Sequence, residues 1–198
     1  KRFERGNDVE EVVYHYLAGE DYSDATALME RVAMEWFTRG RVETLLRWAE
    51  ALPEEARPQA PRMSLYQSKV LTDHYDYDGA RQALAHAEAG FAIRRDMARL
   101  AEVHIQRATL GLFEGRYEDV IAEARTALEM LGEDEGMERA QARRLIGTAY
   151  VRLGRLAEGV AKLQDALVLF RQVGSPYDVV NLLQDLTFAF APHGRFDE

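Results

Sequence analysis

The feature that most constrains this chain is a register of small and aromatic residues that returns about every forty positions. Gly115-Arg-Tyr117 is followed by Ala127-Leu128, and Gly154-Arg-Leu156 by Ala166-Leu167. Gly194-Arg-Phe196 opens the same pattern again, and upstream Asp76-Tyr77 with Ala80 and Ala87 keeps it. A fixed period of this size belongs to stacked helical hairpins, each burying its apolar face against its neighbours. Such arrays present surfaces, so binding is expected ahead of catalysis.

The hydrophobic spacing places helices near 8–18, 23–38, 42–51, 61–74, 77–91, 95–113, 117–131, 137–153, 156–173 and 176–190. Gly19 and Gly40 read as helix stops, Gly40 because glycine accepts the left-handed conformation that closes a helix. Residues 53–61 hold three prolines and exclude one continuous helix, with Pro61 suited to the first position of the next. Gly132 to Gly136 is an acidic turn. In Gly174-Ser175-Pro176, glycine closes one helix while serine caps and proline begins another, with Asp178 near a capping-box position. Turn glycines, a plugging Tyr117 or Leu156, and close-packing Ala124, Ala127 and Ala166 are scaffold. Trp36, Phe37 and Trp48 sit at core spacing.

Chemistry is thinly represented. With no cysteine, disulfides, zinc–thiolate sites and thiol catalysis are excluded. His15, His74, His86, His104 and His193 show no close metal-ligand spacing. The cluster of His74 with Asp73, Asp76 and Asp78 lacks the glycine and glutamate of a calcium loop. Glu54-Glu55 and Glu133-Asp134-Glu135 lie in turns, where nothing raises one carboxyl for acid–base work. The segment reads as a non-enzyme without cofactor or metal. A net charge of −9, from 25 basic and 34 acidic residues, opposes phosphate-backbone binding. The arginine groups at 94, 95 and 99 and at 139, 143 and 144 read as solvated faces. No apolar run is long enough for a membrane, and no signal segment opens the chain. The expectation is a cytoplasmic protein.

The glycine–aromatic–alanine register resembles a tetratricopeptide repeat lengthened to about forty residues, best matched by Gly147-Thr-Ala-Tyr150-Val-Arg-Leu-Gly154-Arg-Leu156. That resemblance implies an all-α, right-handed α-α superhelix. It divides the chain into N-terminal helices over 1–60 and repeats over 61–94, 95–134, 135–174 and a truncated 175–198, in one continuous array. A narrower likeness covers His15-Tyr-Leu-Ala-Gly19-Glu-Asp-Tyr22, Ala25-Thr-Ala-Leu-Met-Glu-Arg31, Arg39-Gly-Arg41 and Thr44-Leu-Leu-Arg-Trp48-Ala-Glu-Ala-Leu-Pro53-Glu-Glu55. It looks like the junction between ATPase module and superhelix in MalT-like, large LuxR-type bacterial regulators. The resemblance implies an effector-sensing or protein-interaction domain, with ATP and promoter DNA handled by neighbouring domains of the same chain. The segment has neither a phosphate-loop motif nor a DNA-reading segment. It reads as a fragment that ends within a hairpin. The alternative is a free-standing tetratricopeptide scaffold with no transcriptional role.

In such stacks the first helix of each hairpin lines the concave side. That mapping selects Arg62, Lys69 and Thr72, then Glu102 and Thr109. Gln141, Arg144 and Thr148 come next, followed by Asn181, Gln184 and Phe188. Amides, hydroxyls and an arginine beside an aromatic suit a small polar effector or a regulatory protein. The lysine–asparagine clamp of some co-chaperone repeats is not matched, because Thr148 stands where asparagine is needed.

Overall fold

A computed structural model gives the backbone of residues 4–132, 136–173 and 176–190, with side chains described for these except 4–8, 177 and 188–190. The fold is all-α, and no strand occurs among the described residues. The helices are α1 Glu4–Ala18, α2 Tyr22–Thr38, α3 Val42–Ala51, α4 Pro61–Asp73, α5 Tyr77–Arg94, α6 Met97–Phe113, α7 Tyr117–Met130, α8 Gly136–Arg152, α9 Leu156–Val173 and α10 Pro176–Phe190. A 3-10 helix, Glu54–Gln59, fills the proline-rich segment, and Pro61 takes the first turn of α4. Gly174, Ser175 and the Gly194-Arg-Phe196 motif lie outside the described residues, as does most of the acidic turn after Gly132.

Six of the helix junctions are closed by the same two hydrogen bonds. After α1 the amide of Glu20 donates to the Leu17 carbonyl at 3.1 Å, and that of Asp21 to Tyr16 at 2.9 Å. The pattern recurs with Gly40 and Arg41, Tyr75 and Asp76, Arg95 and Asp96, Gly115 and Arg116, and Gly154 and Arg155. This is the Schellman arrangement, which satisfies the last carbonyls of a helix and needs one left-handed residue. Those residues are Glu20, Gly40, Tyr75, Arg95, Gly115 and Gly154, with φ between 53° and 77°.

The six turns fall into two kinds. Where the left-handed residue is glycine, arginine follows; where it is Glu20, Tyr75 or Arg95, aspartate follows. Asp21 and Asp76 cap the next helix, accepting from the amides of Asp24 at 3.3 Å and Gly79 at 3.0 Å. A side-chain N-cap is worth about 1 kcal/mol, comparable to the roughly 1–2 kcal/mol that a side chain costs in the left-handed region. Two of the arginines also reach back onto a ring of the helix just ended. Arg41 covers the Trp36 ring at 4.7 Å and Arg155 the Tyr150 ring at 4.2 Å, each reaching the residue five positions earlier. Arg116 has Gly111 at that position and bonds Glu114 at 3.1 Å and Asp119 at 2.7 Å. Gly19 is therefore not the left-handed residue of its turn; Glu20 is.

The contacts divide the chain into two compact units, Lys1–Asp96 and Met97–Glu198. In the first, α4 packs with α1–α3 around Val13, Met29, Trp36, Leu45, Trp48 and Met63, while α5 packs on α4 and the 3-10 helix. Trp36 and Trp48 stack at 4.5 Å, and both are buried. Glu30 of α2 accepts from the amides of Arg62 and Met63 at 2.9 and 3.4 Å, so a carboxylate sits on the positive end of α4. Arg94 ties the same carboxylate to α5 at 2.8 Å and donates to the Gln59 carbonyl at 2.6 Å.

In the second unit, α6 pairs with α7 and α8 with α9, while α7 also packs on α8. Ala101, Ala108, Val120, Ala124, Ala127 and Ala149 form a fully buried seam of small side chains. Tyr117 packs half-buried against it, as the plugging role requires. Leu163, Ala166 and Phe170 of α9 bury themselves with Ala140 of α8 and Leu182 of α10. Helix α10 thus rests on α9 and makes a smaller contact with α8.

Candidate functional site

The residues chosen for the concave face fall into two groups: those whose polar atoms are already committed and those whose atoms are open. In the first unit, Thr72 is buried and donates to the Ser68 carbonyl at 2.8 Å. Lys69 lies over the faces of Phe37 and Tyr66, at 5.8 and 5.3 Å, and those rings stack on one another at 4.5 Å. Arg62 begins α4 beside Glu30, and its buried Nε has no acceptor among the described residues. On α6, Glu102 pairs with Arg99, and the Thr109 hydroxyl donates to Ile105 at 2.9 Å. The Thr72 and Thr109 hydroxyls thus each donate their proton to a carbonyl one turn back in their own helix.

Helices α8 and α10 differ. The half-buried amides of Gln141 and Asn181 and the exposed amide of Gln184 make no side-chain hydrogen bond to a described residue. Arg144 Nε lies 3.6 Å from Asp185 Oδ2, and each side chain is 27 % exposed. That separation exceeds a hydrogen bond, so the guanidinium keeps its donors free among the described residues. Thr148, one turn along α8, donates to the Arg144 carbonyl at 2.9 Å and stands 3.3 Å from the same Asp185 oxygen. One hydroxyl proton serves both acceptors, so the shorter contact holds most of it. The Phe188 side chain lies outside those described.

Asp185 was not among the sequence candidates, yet it is where Arg144 and Thr148 converge. Burial raises its carboxyl above the ordinary range, against the opposing pull of Arg144, the Thr148 hydroxyl and Arg152. The signal was present in sequence: residue 185 follows Asn181 by one helical turn and shares its face. Against that signal, an acidic residue in a chain of net charge −9 reads as solvated surface.

A pocket of about 460 Å³ opens between α1 and α3, lined by Glu10, Glu11, Tyr14, Leu17, Arg47, Trp48 and Ala51. Its principal acid, Glu10, is spent on Arg41 at 3.1 Å and Arg47 at 3.0 Å. No group of three His, Asp or Glu side chains among the described residues is placed to hold a metal ion. Within the cluster around His74, Asp76 caps α5 and Asp78 pairs with Arg81. No described helix is long and apolar enough to cross a membrane. No protein-family model matches the chain, and no curated protein matches it.

Proposed function

We propose that the protein is the effector-sensing or protein-interaction part of a MalT-like, LuxR-type transcriptional regulator, built as a right-handed superhelix of tetratricopeptide-like hairpins. The ligand binds the polar row on α8 and α10. The observation that carries this reading is the side-chain hydrogen-bonding capacity of Gln141, Arg144, Asn181 and Gln184 that no described residue takes up, grouped on α8 and α10. A partly desolvated polar group without a partner costs free energy that a ligand recovers. The regulator identity rests on the sequence likeness between Gly19 and Glu55. ATP and DNA binding fall to neighbouring domains, and the segment itself takes no nucleic acid, cofactor or membrane.

The geometry suggests how binding acts on the protein. Because α10 touches α8 only lightly, a ligand bridging the two helices adds contacts absent from the free protein. It therefore favours arrangements in which the last hairpins are held together, and differential affinity of that kind shifts a conformational equilibrium.

Two measurements test the proposal. The reading frame on either side should encode a phosphate-loop ATPase upstream and a helix-turn-helix downstream; further plain repeats would leave only the scaffold reading. Thermal-shift screening of polar metabolites and peptides should give hits that Gln141→Ala and Asn181→Ala weaken at least tenfold. Hits that both variants retain at full affinity would remove the groove from the proposal.

A further inference from the structure

Arg144 and Thr148 sit one turn apart on α8 and point at a single oxygen, Oδ2 of Asp185, which reaches across from α10. The space between them is thus shaped for a carboxylate and already contains one. Its tenant is poorly held. Arginine–carboxylate pairs normally bond at about 2.7–2.9 Å and often through two parallel N–H donors, whereas Nε here stands at 3.6 Å. Thr148 gives its shorter bond to the Arg144 carbonyl.

We propose that Arg144 and Thr148 form a seat for a carboxylate of the ligand, which Asp185 occupies in the free protein and vacates on binding. This deepens the groove reading above and rests on it: the ligand is a polar molecule or peptide segment bearing a free carboxylate. An incoming carboxylate engages the terminal nitrogens of Arg144 in the forked geometry that Asp185 does not reach. Two carboxylates on one guanidinium repel, so Asp185 turns away. The amides of Gln141, Asn181 and Gln184 meet the ligand's neutral polar atoms, and Asp185 sets the concentration at which the seat is taken. The raised carboxyl of Asp185 agrees with a side chain whose charged form is only partly compensated where it stands.

The test uses the whole 198-residue chain, with binding followed through the arginine Nε–H and Thr148 amide resonances. Succinate and a capped pentapeptide with one central aspartate serve as separate probes, distinguishing a free small acid from a peptide source, and neutral succinamide is the control. At least one acid should perturb Arg144 and Thr148 while succinamide does not. Asp185→Asn should tighten that binding at least threefold, and Arg144→Gln should abolish it. Unchanged or weaker binding in Asp185→Asn overturns the proposal, as does failure of both acids in wild type and Asp185→Asn alike. If screening hits still depend on Gln141 and Asn181 in that event, the seat fails while the groove stands. Loss of those hits as well removes both.

Discussion

Gly147 and Gly159 face each other across the α8–α9 hairpin, each leaving room for the other's backbone. A Cβ on Gly147 would stand 3.0 Å from the Gly159 carbonyl oxygen and 2.8 Å from Leu163 Cγ. On Gly159 it would stand 2.9 Å from both the Gly147 oxygen and the Val151 nitrogen. Alanine ordinarily favours a helix over glycine by about 1 kcal/mol. Here the clash with main chain outweighs that gain. Gly159→Ala is expected to destabilise the second unit by about 1–3 kcal/mol in urea denaturation. A neutral or stabilising result would mean that the helices separate without cost.

In the first unit, Glu30 joins α2, α4 and α5 through one carboxylate that is 14 % exposed. Glu30→Ala removes a cap from α4 and takes from Arg94 its carboxylate partner, leaving its bond to the Gln59 carbonyl. The expected loss is about 1–2 kcal/mol, read as a lower Tm with an unchanged far-ultraviolet spectrum. Asp165→Ala, on an exposed pair with Lys162, should change stability by less than about 0.5 kcal/mol and serves as the comparison.

The two kinds of turn predict substitutions of opposite sign. Arg95→Gly relieves a side chain held at φ 53° and is expected to stabilise by about 0.5–1 kcal/mol, after allowing for the greater freedom glycine gives the unfolded chain. Gly115→Ala places a side chain at φ 72° and should cost about 1–2 kcal/mol. Equal shifts from both variants in parallel denaturation curves would refute the assignment of strain to these positions.

Asp185 gives the protein a pH dependence whose sign follows from its burial. Its carboxyl is raised in the folded state, so the fold holds its proton more tightly than the unfolded chain does. The stability this contributes is complete below the unfolded value of 3.8 and is lost as pH rises through the higher folded value. Asp185→Asn should accordingly raise Tm relative to wild type at neutral pH, with the difference shrinking as pH falls toward 4. A difference that grows on acidification would contradict the sign.

Much of the helical pattern was legible because apolar spacing is dictated by which face must be buried. Each of the ten α-helices overlaps the interval that spacing predicts, although α1 begins at Glu4 rather than near residue 8, and the proline-rich interval is a 3-10 turn rather than a long helix. The junctions read less well. Glycine announced those at Gly40, Gly115 and Gly154, but Glu20, Tyr75 and Arg95 adopt the same backbone without it, and after Glu20 and Tyr75 an aspartate caps the next helix. The missed end of α5, which runs to Arg94 instead of stopping near residue 91, is one consequence. Among the candidate contacts, spacing does not say which hydroxyls are consumed within their own helix. Thr72 and Thr109 bond backwards by four residues, an option always open to threonine that spacing does not reveal.

The paired hydrogen bonds at each of the six turns also bear on how the chain reaches its native state. Every one closes between residues three or five apart, so the entropy lost in forming a turn is that of a very short loop. The helices joined by such a turn are held near one another before any distant contact is made. Rates of folding rise when native contacts are local, and helical proteins of this kind occupy the fast end of the range. Successive hairpins can therefore nucleate independently, and a slow search for a distant partner is not built into the topology. In refolding experiments the earliest protection of amides should appear at residues 40–41, 115–116 and 154–155, before the large aromatic contacts of Trp36 and Trp48 are complete.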